Sequence, residues 1–167
     1  MPLITKVADL SLPAKVKEGG APPSFYWSFP FLVFLVAASV YLPGMPGGFE
    51  FDDGINIVQN PHIHIKSLDL DSLSNAALST TSGPLRRPVA MLTLAVNYYF
   101  SQDSVVGYKV VNIAIHALNA VLIYFLSLKL LTRVPDYREN RYWLALAISM
   151  LWSCLPINLT SVLYVIQ

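Results

Sequence analysis

Two adjacent carboxylates, Asp52 and Asp53, follow closely after an apolar stretch that is long enough to cross a membrane. The residues around them are mostly apolar, which would hold this loop against a membrane surface. A carboxylate placed there can accept a proton from a hydroxyl and act as a general base. If Asp53 opens a short helix over residues 53–58, the helix dipole favours its charged form. An Asp-Asp-Gly surface turn is the alternative, and the residues alone leave both interpretations open.

A second group of polar residues lies inside the long apolar segment 105–131. Its members recur every three or four residues and therefore share one helix face: Lys109, Asn112, His116 and Asn119. Polar side chains are costly in lipid, so this face should contact protein or water, and it is a candidate functional site. Hydrogen bonding between helices, worth about 0.6 kcal/mol per contact on average, is the alternative.

Three cations fall on the same predicted side of the membrane as the carboxylates: Arg86, Arg87 and Lys109. They could hold the phosphate of a lipid headgroup, and ordinary anchoring to headgroups is the alternative. His62 and His64, two residues apart, could form a metal pair on a strand edge. No cofactor is predicted with certainty, and a divalent metal stays open.

The composition indicates a membrane protein. Hydrophobic residues make up 54% of the 167 residues and charged residues only 13%, against about 25% charged residues in soluble domains. The net charge of +1 provides no field that would attract nucleic acid. The single cysteine, Cys154, excludes an internal disulfide.

The predicted fold class is an all-α membrane protein with three transmembrane helices and a long extracytoplasmic first loop that carries interfacial helices. A spanning helix needs about 20 residues, whereas a cleaved signal peptide, the rival interpretation of the first segment, has an apolar core of about 7–15. Basic residues mark the cytoplasmic side, which places the N-terminus inside and the long loop outside. The predicted segments are a cytoplasmic leader 1–24, a transmembrane helix 25–42, the outer loop 43–104 with interfacial helices at about 67–79 and 88–101, a transmembrane helix 105–131, a cytoplasmic connection 132–141, and a third transmembrane helix with the start of the next outer segment over 142–167.

Three blocks of residues, in this order and spacing, resemble a known family. The blocks are Phe51-Asp52-Asp53 with Ile57, Asn60-Pro61 and Ile63; Arg87-Pro88-Val89 with Leu92-Thr93-Leu94 and Asn97-Tyr98; and Gly107-Tyr108 with Asn112, His116 and Asn119. Together they resemble the N-terminal part of the GT-C type membrane glycosyltransferases with C-terminal tetratricopeptide repeats, the O-mannosyltransferase-like group. The resemblance runs from about residue 25 to the last residue.

The resemblance implies an integral membrane enzyme of the bacterial inner membrane or the endoplasmic reticulum. Such enzymes transfer a sugar from a polyprenyl- or dolichyl-phosphate donor to a hydroxyl of a protein or glycan acceptor on the outer face. By resemblance, Asp52 or Asp53 deprotonates the acceptor. The departing lipid phosphate needs cationic or metal stabilisation, for which the nearest candidates are Arg86, Arg87 and Lys109.

The chain also departs from the family pattern. Lys109 stands where the family has histidine, and Leu155, Asn158 and Thr160 stand where it has the two histidines and the glutamate of His-Pro-x-His-x-Glu. Family members have many more spans, so we expect this chain to be an N-terminal portion that is truncated or inactive alone. The alternative function is that of a small non-catalytic membrane protein that assembles with other membrane proteins through the Asn112, His116 and Asn119 face.

Overall fold

The computed structural model describes residues 24–79 and 87–166, and all regular structure within these two ranges is helical. The predicted leader, apart from Ser24, and the predicted phosphate ligand Arg86 lie outside the described residues. The elements in chain order are a 3-10 turn Ser24–Ser28, α1 (Phe29–Ser39), a 3-10 turn Leu42–Gly44, a π-helical turn Gly54–Val58, α2 (Leu70–Ala77), α3 (Pro88–Ser101), α4 (Val105–Leu131), a 3-10 turn Pro135–Tyr137, α5 (Arg141–Ser153) and α6 (Asn158–Leu163).

Two helical segments in the described part of the chain are long and apolar enough to cross a membrane. They are Ser24–Gly44, with 21 residues and a mean hydropathy of 1.8, and Val105–Leu131, with 27 residues and a mean hydropathy of 1.9. In the most apolar 18 residues of each segment, only 22% and 28% are buried, whereas the core helix of a soluble protein is mostly buried. Large exposed apolar faces of this kind fit contact with lipid. The two segments correspond to the first and second predicted spans.

The segment 142–167, predicted as the third span with the start of the next outer segment, contains two helices in the structure, α5 and α6. Helix α5 has 13 residues and ends at Ser153, and α6 has only six, whereas a span needs about 20. Pro156 lies in the break, where its missing N–H cannot support a continuing helix. The described residues therefore carry two full-length candidate spans and one half-length helix packed against them.

Small side chains bring α1, α4 and α5 close together. On α5, Ala145, Ser149 and Ser153 recur every four residues and are completely buried. They form the small-xxx-small pattern that lets helix backbones approach in membranes. The facing helices contribute further buried alanines to the same core: Ala37 from α1, and Ala117 and Ala120 from α4.

A second core lies beside the start of α4 and carries the loop that holds the carboxylates. It joins the long first loop, α2, α3 and the first turn of α4 through apolar side chains: Ile57, Ile63, Ile65, Ala76, Met91, Leu94, Ala95, Tyr108 and Val165. Helix α2 lies inside the predicted range 67–79, and α3 and α4 have the predicted bounds 88–101 and 105–131. Pro88 occupies the first turn of α3, where its missing N–H costs nothing.

Candidate functional site

The structure gives the two adjacent carboxylates different surroundings. Asp53 is only 1% exposed. Its Oδ1 accepts the backbone N–H of Ile166 at 2.7 Å, and its Oδ2 accepts that of Glu50 at 3.0 Å. Asp53 stands at the N-cap of the π-helical turn, but its side chain makes no capping hydrogen bond there. Its carboxylate instead ties the loop to a segment more than a hundred residues later in the chain.

Asp52, by contrast, is exposed, and among the described residues its carboxylate has no hydrogen-bond or ion-pair partner. Its backbone carbonyl accepts the backbone N–H of Asn56 at 3.1 Å and the Asn56 side-chain amide at 2.9 Å, which fixes its main chain. The preceding residue, Phe51, has φ 47°, a left-handed conformation that few non-glycine residues adopt. A hydrogen-bonded backbone therefore presents a carboxylate that has no partner among the described residues, and such a carboxylate could accept a proton.

Lys109, in the first turns of α4, is a buried cation. It is 5% exposed, and its Nζ donates to the carbonyl of Gly44 at 3.1 Å. The backbone of Gly47 also lies close, because a Cβ added there would stand 2.9 Å from the same Nζ. Among the described residues no carboxylate lies within 4.0 Å of this ammonium. Since buried charges in proteins are normally paired, this ammonium is a candidate group for binding an anion.

Arg87, the other described member of the predicted phosphate-binding set, is exposed at the N-cap of α3 with φ 33°. The structure thus places Arg87 and Lys109 at the starts of two consecutive helices.

The polar face of α4 bonds to backbone carbonyls of this same chain. The side-chain amide of Asn112 donates to Tyr164 O at 3.0 Å and to Val165 O at 3.4 Å. Asn112 and Asp53 therefore hold the segment 164–166 from two sides.

His116 satisfies a carbonyl at the end of the half-length helix α5. Its Nε2 donates to Ser153 O at 3.1 Å, and the hydroxyl of Tyr41 donates to the same oxygen at 2.9 Å. The imidazole also stacks on the indole of Trp152, with ring centroids 5.0 Å apart and planes inclined by 19°. Nothing in the sequence connects Tyr41 to this site, because its partner lies 112 residues away.

A notch of about 280 Å³ opens beside the break between α5 and α6. Its lining combines uncharged polar side chains with a few apolar ones: Asn112, Ile115, His116, Asn119, Trp152, Asn158, Ser161 and Val162. Asn119, the fourth member of the predicted stripe, is exposed and faces this notch. We call these lining residues the polar notch. Trp152 and Ser161 were not found by sequence reasoning, since a single Trp or Ser in an apolar segment carries no motif.

In the part of the chain that the structure describes, the two histidines of the loop 43–104, His62 and His64, do not form a metal cluster with other ligands. His64 donates from Nε2 to Ile57 O at 2.8 Å and stacks on Tyr98 with ring centroids 4.2 Å apart. Within the described ranges no group of three or more His, Cys, Asp or Glu side chains could hold a metal ion. His64 therefore has a packing role in this loop.

Comparison with known proteins agrees with the family resemblance at a coarse level. The chain is 30% identical over 138 residues to a protein O-mannosyl-transferase of Caenorhabditis elegans. The alignment covers 78% of this chain but only 19% of that relative, so the chain spans about a fifth of its length. No family model matches the chain, and no solved structure matches it. The similarity supports a glycosyltransferase-like relationship for this helical chain with its two apolar segments.

Proposed function

We propose that the chain is the N-terminal portion of a GT-C type integral-membrane glycosyltransferase with C-terminal repeats. It transfers a sugar from a polyprenyl- or dolichyl-phosphate donor to an acceptor hydroxyl on the outer face. Similarity to an O-mannosyl-transferase and two helices of spanning length support this assignment and suggest mannose as the sugar. The N-terminus and the connection 132–141 face the cytoplasm, and the loop 43–104 lies outside.

The observation that carries the proposal is the carboxylate of Asp52, which has no partner among the described residues and stands on a hydrogen-bonded backbone. In this mechanism Asp52 takes the proton of the acceptor hydroxyl, and the acceptor oxygen attacks the anomeric carbon of the donor. The bond between that carbon and the phosphate oxygen breaks, and the lipid phosphate leaves with the bonding electrons. Asp53 is a positioning residue, since both of its oxygens already accept backbone N–H groups.

The leaving phosphate needs a cation near the carboxylate loop, and Lys109 supports that role. Its ammonium is buried, it makes one hydrogen bond to Gly44 O, and no described carboxylate neutralises it. A phosphate oxygen would supply the missing counter-charge through a charge-assisted hydrogen bond. Arg87 and Arg86 complete the proposed phosphate-binding set.

A chimera provides the test, because this chain corresponds to only 19% of its relative. The matched segment of the Caenorhabditis elegans protein is replaced by this chain, and transfer from dolichyl-phosphate-mannose to an acceptor peptide is measured in membranes. Asp52→Asn should lower the rate by at least about a hundredfold, as expected for loss of a general base, while Asp52→Glu keeps part of it. Unchanged transfer by Asp52→Asn, at equal expression, contradicts the assignment of the base.

The alternative, a non-catalytic protein that binds partners through the polar face of α4, has less support. Asn112 and His116 already donate to carbonyls of this chain, which leaves Asn119 as the exposed member of that face. If the alternative holds, Asn119→Leu dissociates a native complex, whereas Asp52→Asn leaves the complex intact. We expect neither change to alter the size of the protein on native gels.

A further inference from the structure

The break between α5 and α6 lies far from either end of the long helix beside it. His116 donates to Ser153 O at the end of α5, and His116 lies about 16 Å along α4 from its first residue, at 1.5 Å per residue. Non-helical backbone at membrane depth is tolerated only where it is buried in protein or lines a water-filled cavity. Here the polar notch borders the break.

Side chains donate hydrogen bonds to the carbonyl groups of Trp152 and Ser153 at the end of α5, so specific contacts stabilise this break. Ser153 O accepts from Tyr41 and His116, and Trp152 O accepts the side-chain amide of Asn158 at 2.7 Å. Asn119 also lines the notch. Asn119 is exposed there and makes no hydrogen bond with the described residues.

We propose that the polar notch is a water-filled binding site for a neutral, polyhydroxylated ring, such as a single sugar unit. Among the residues that line it, none is Asp, Glu, Lys or Arg, so a charged ligand would find no counter-charge. Asn side chains both donate and accept hydrogen bonds, as sugar hydroxyls do, and the indole of Trp152 offers an apolar surface. The volume of about 280 Å³ lies at the small end of ligand pockets, which span about 300–1,000 Å³.

The inference rests on the proposed function for the choice of mannose as the sugar, but binding in the notch requires neither transfer nor a lipid donor. Asn112, which lines the notch, donates to the carbonyls of Tyr164 and Val165, and Asp53 of the carboxylate loop accepts the N–H of Ile166. The segment 164–166 therefore connects the notch with the carboxylate loop.

Cysteine accessibility tests the hydration of the notch. The native cysteine is first removed as Cys154→Ser, and single cysteines are introduced as Asn119→Cys, in the notch, and Leu118→Cys, its neighbour at the same depth. Leu118 is 55% exposed and does not line the notch. A thiol must ionise in water to react, so a charged methanethiosulfonate reagent should modify Asn119→Cys at least about tenfold faster than Leu118→Cys. Equal rates, or no reaction at Asn119→Cys, overturn the inference.

Protection from the same reagent tests the ligand. With Ser161→Cys as the reporter in Cys154→Ser protein, methyl α-mannopyranoside should slow modification, whereas cyclohexanol, a ring with one hydroxyl, should not. Mannose 1-phosphate should protect no better than the methyl glycoside, because no cation lines the notch. Asn119→Leu should remove the protection, and the matched change Leu118→Ala should keep it.

Equal protection by cyclohexanol, or no protection by the glycoside, contradicts a sugar site. A third outcome separates the two proposals: the glycoside still protects the Asp52→Asn protein, and the chimera transfers no sugar even with Asp52 intact. That outcome would refute the proposed transferase and leave the notch as a sugar site. The two proposals therefore fail in different experiments.

Discussion

Replacing Asp53 with alanine should release the segment 164–166 from the carboxylate loop while the α1–α4–α5 bundle stays folded. The change removes two hydrogen bonds between a charged acceptor and backbone N–H groups, at 2.7 Å and 3.0 Å. Both donors are partly buried, so we take the low end of the range for charged hydrogen bonds, about 1.5 kcal/mol each. The expected cost is then about 3 kcal/mol for opening this segment.

Hydrogen exchange at the backbone amide of Ile166 measures this cost directly, in detergent micelles or nanodiscs. An opening free energy lowered by about 3 kcal/mol accelerates exchange by about a hundredfold, since each 1.4 kcal/mol is tenfold. Asp52→Ala is the matched control and should change the opening free energy by no more than about 0.5 kcal/mol, because its side chain is exposed. Similar acceleration in both variants, or none in Asp53→Ala, would refute the division of roles between the two carboxylates.

Two further predictions concern local structure. Gly44→Ala should destabilise the protein by about 1 kcal/mol or more in a mixed-micelle unfolding titration, because the new Cβ would overlap the side chain of Leu163. The control Gly48→Ala should not destabilise it, because no atom lies within 4 Å of a Cβ added there. Equal losses of stability in the two variants would contradict this packing. Asp69 caps the N-terminus of α2, where its carboxylate accepts the backbone N–H of Ser72 at 2.8 Å. The hydroxyl of Ser67 holds the pKa of Asp69 at about 2, below its usual 3.8. A lowered pKa stabilises the folded state above pH 3.8, so amide protection in α2 should fall as the pH drops from 3.8 towards 2. Asp69→Ala should lack this pH dependence, and a wild-type protein without it would refute the capping role.

Local signals were sufficient to predict much of the fold. Helix α3 begins at Pro88 and α4 covers an uninterrupted apolar run, so their bounds could be predicted from the residues within them. The same signals predicted a third span from residue 142, and the structure has two shorter helices there, α5 and α6. Pro156 cannot continue the helix beyond the end of α5, and the carbonyl of Ser153 finds its partners on Tyr41 and His116. Partners that distant in sequence cannot be identified from one chain.

The candidate site shows the same limit. Asp52 and Asp53 have the same side chain and nearly the same neighbours in sequence, so their different surroundings could not be predicted. The difference arises from Ile166, which bonds to Asp53 from 113 residues away. Periodicity did place Asn112 and Asn119 on one face of α4, but only the fold shows that the first is bonded and the second open.

Direct capture of the lipid donor tests the central claim most closely, and it needs only this chain. A diazirine-labelled polyprenyl-phosphate-mannose is photolysed with the membrane-embedded protein, with unlabelled donor or the corresponding polyprenol as competitor. We expect labelling that the unlabelled donor suppresses and the polyprenol does not, and that falls at least about tenfold in Lys109→Gln, which removes the buried charge. Labelling that the polyprenol suppresses equally well, or that persists unchanged in Lys109→Gln, would contradict a lipid-phosphate sugar site at the start of α4.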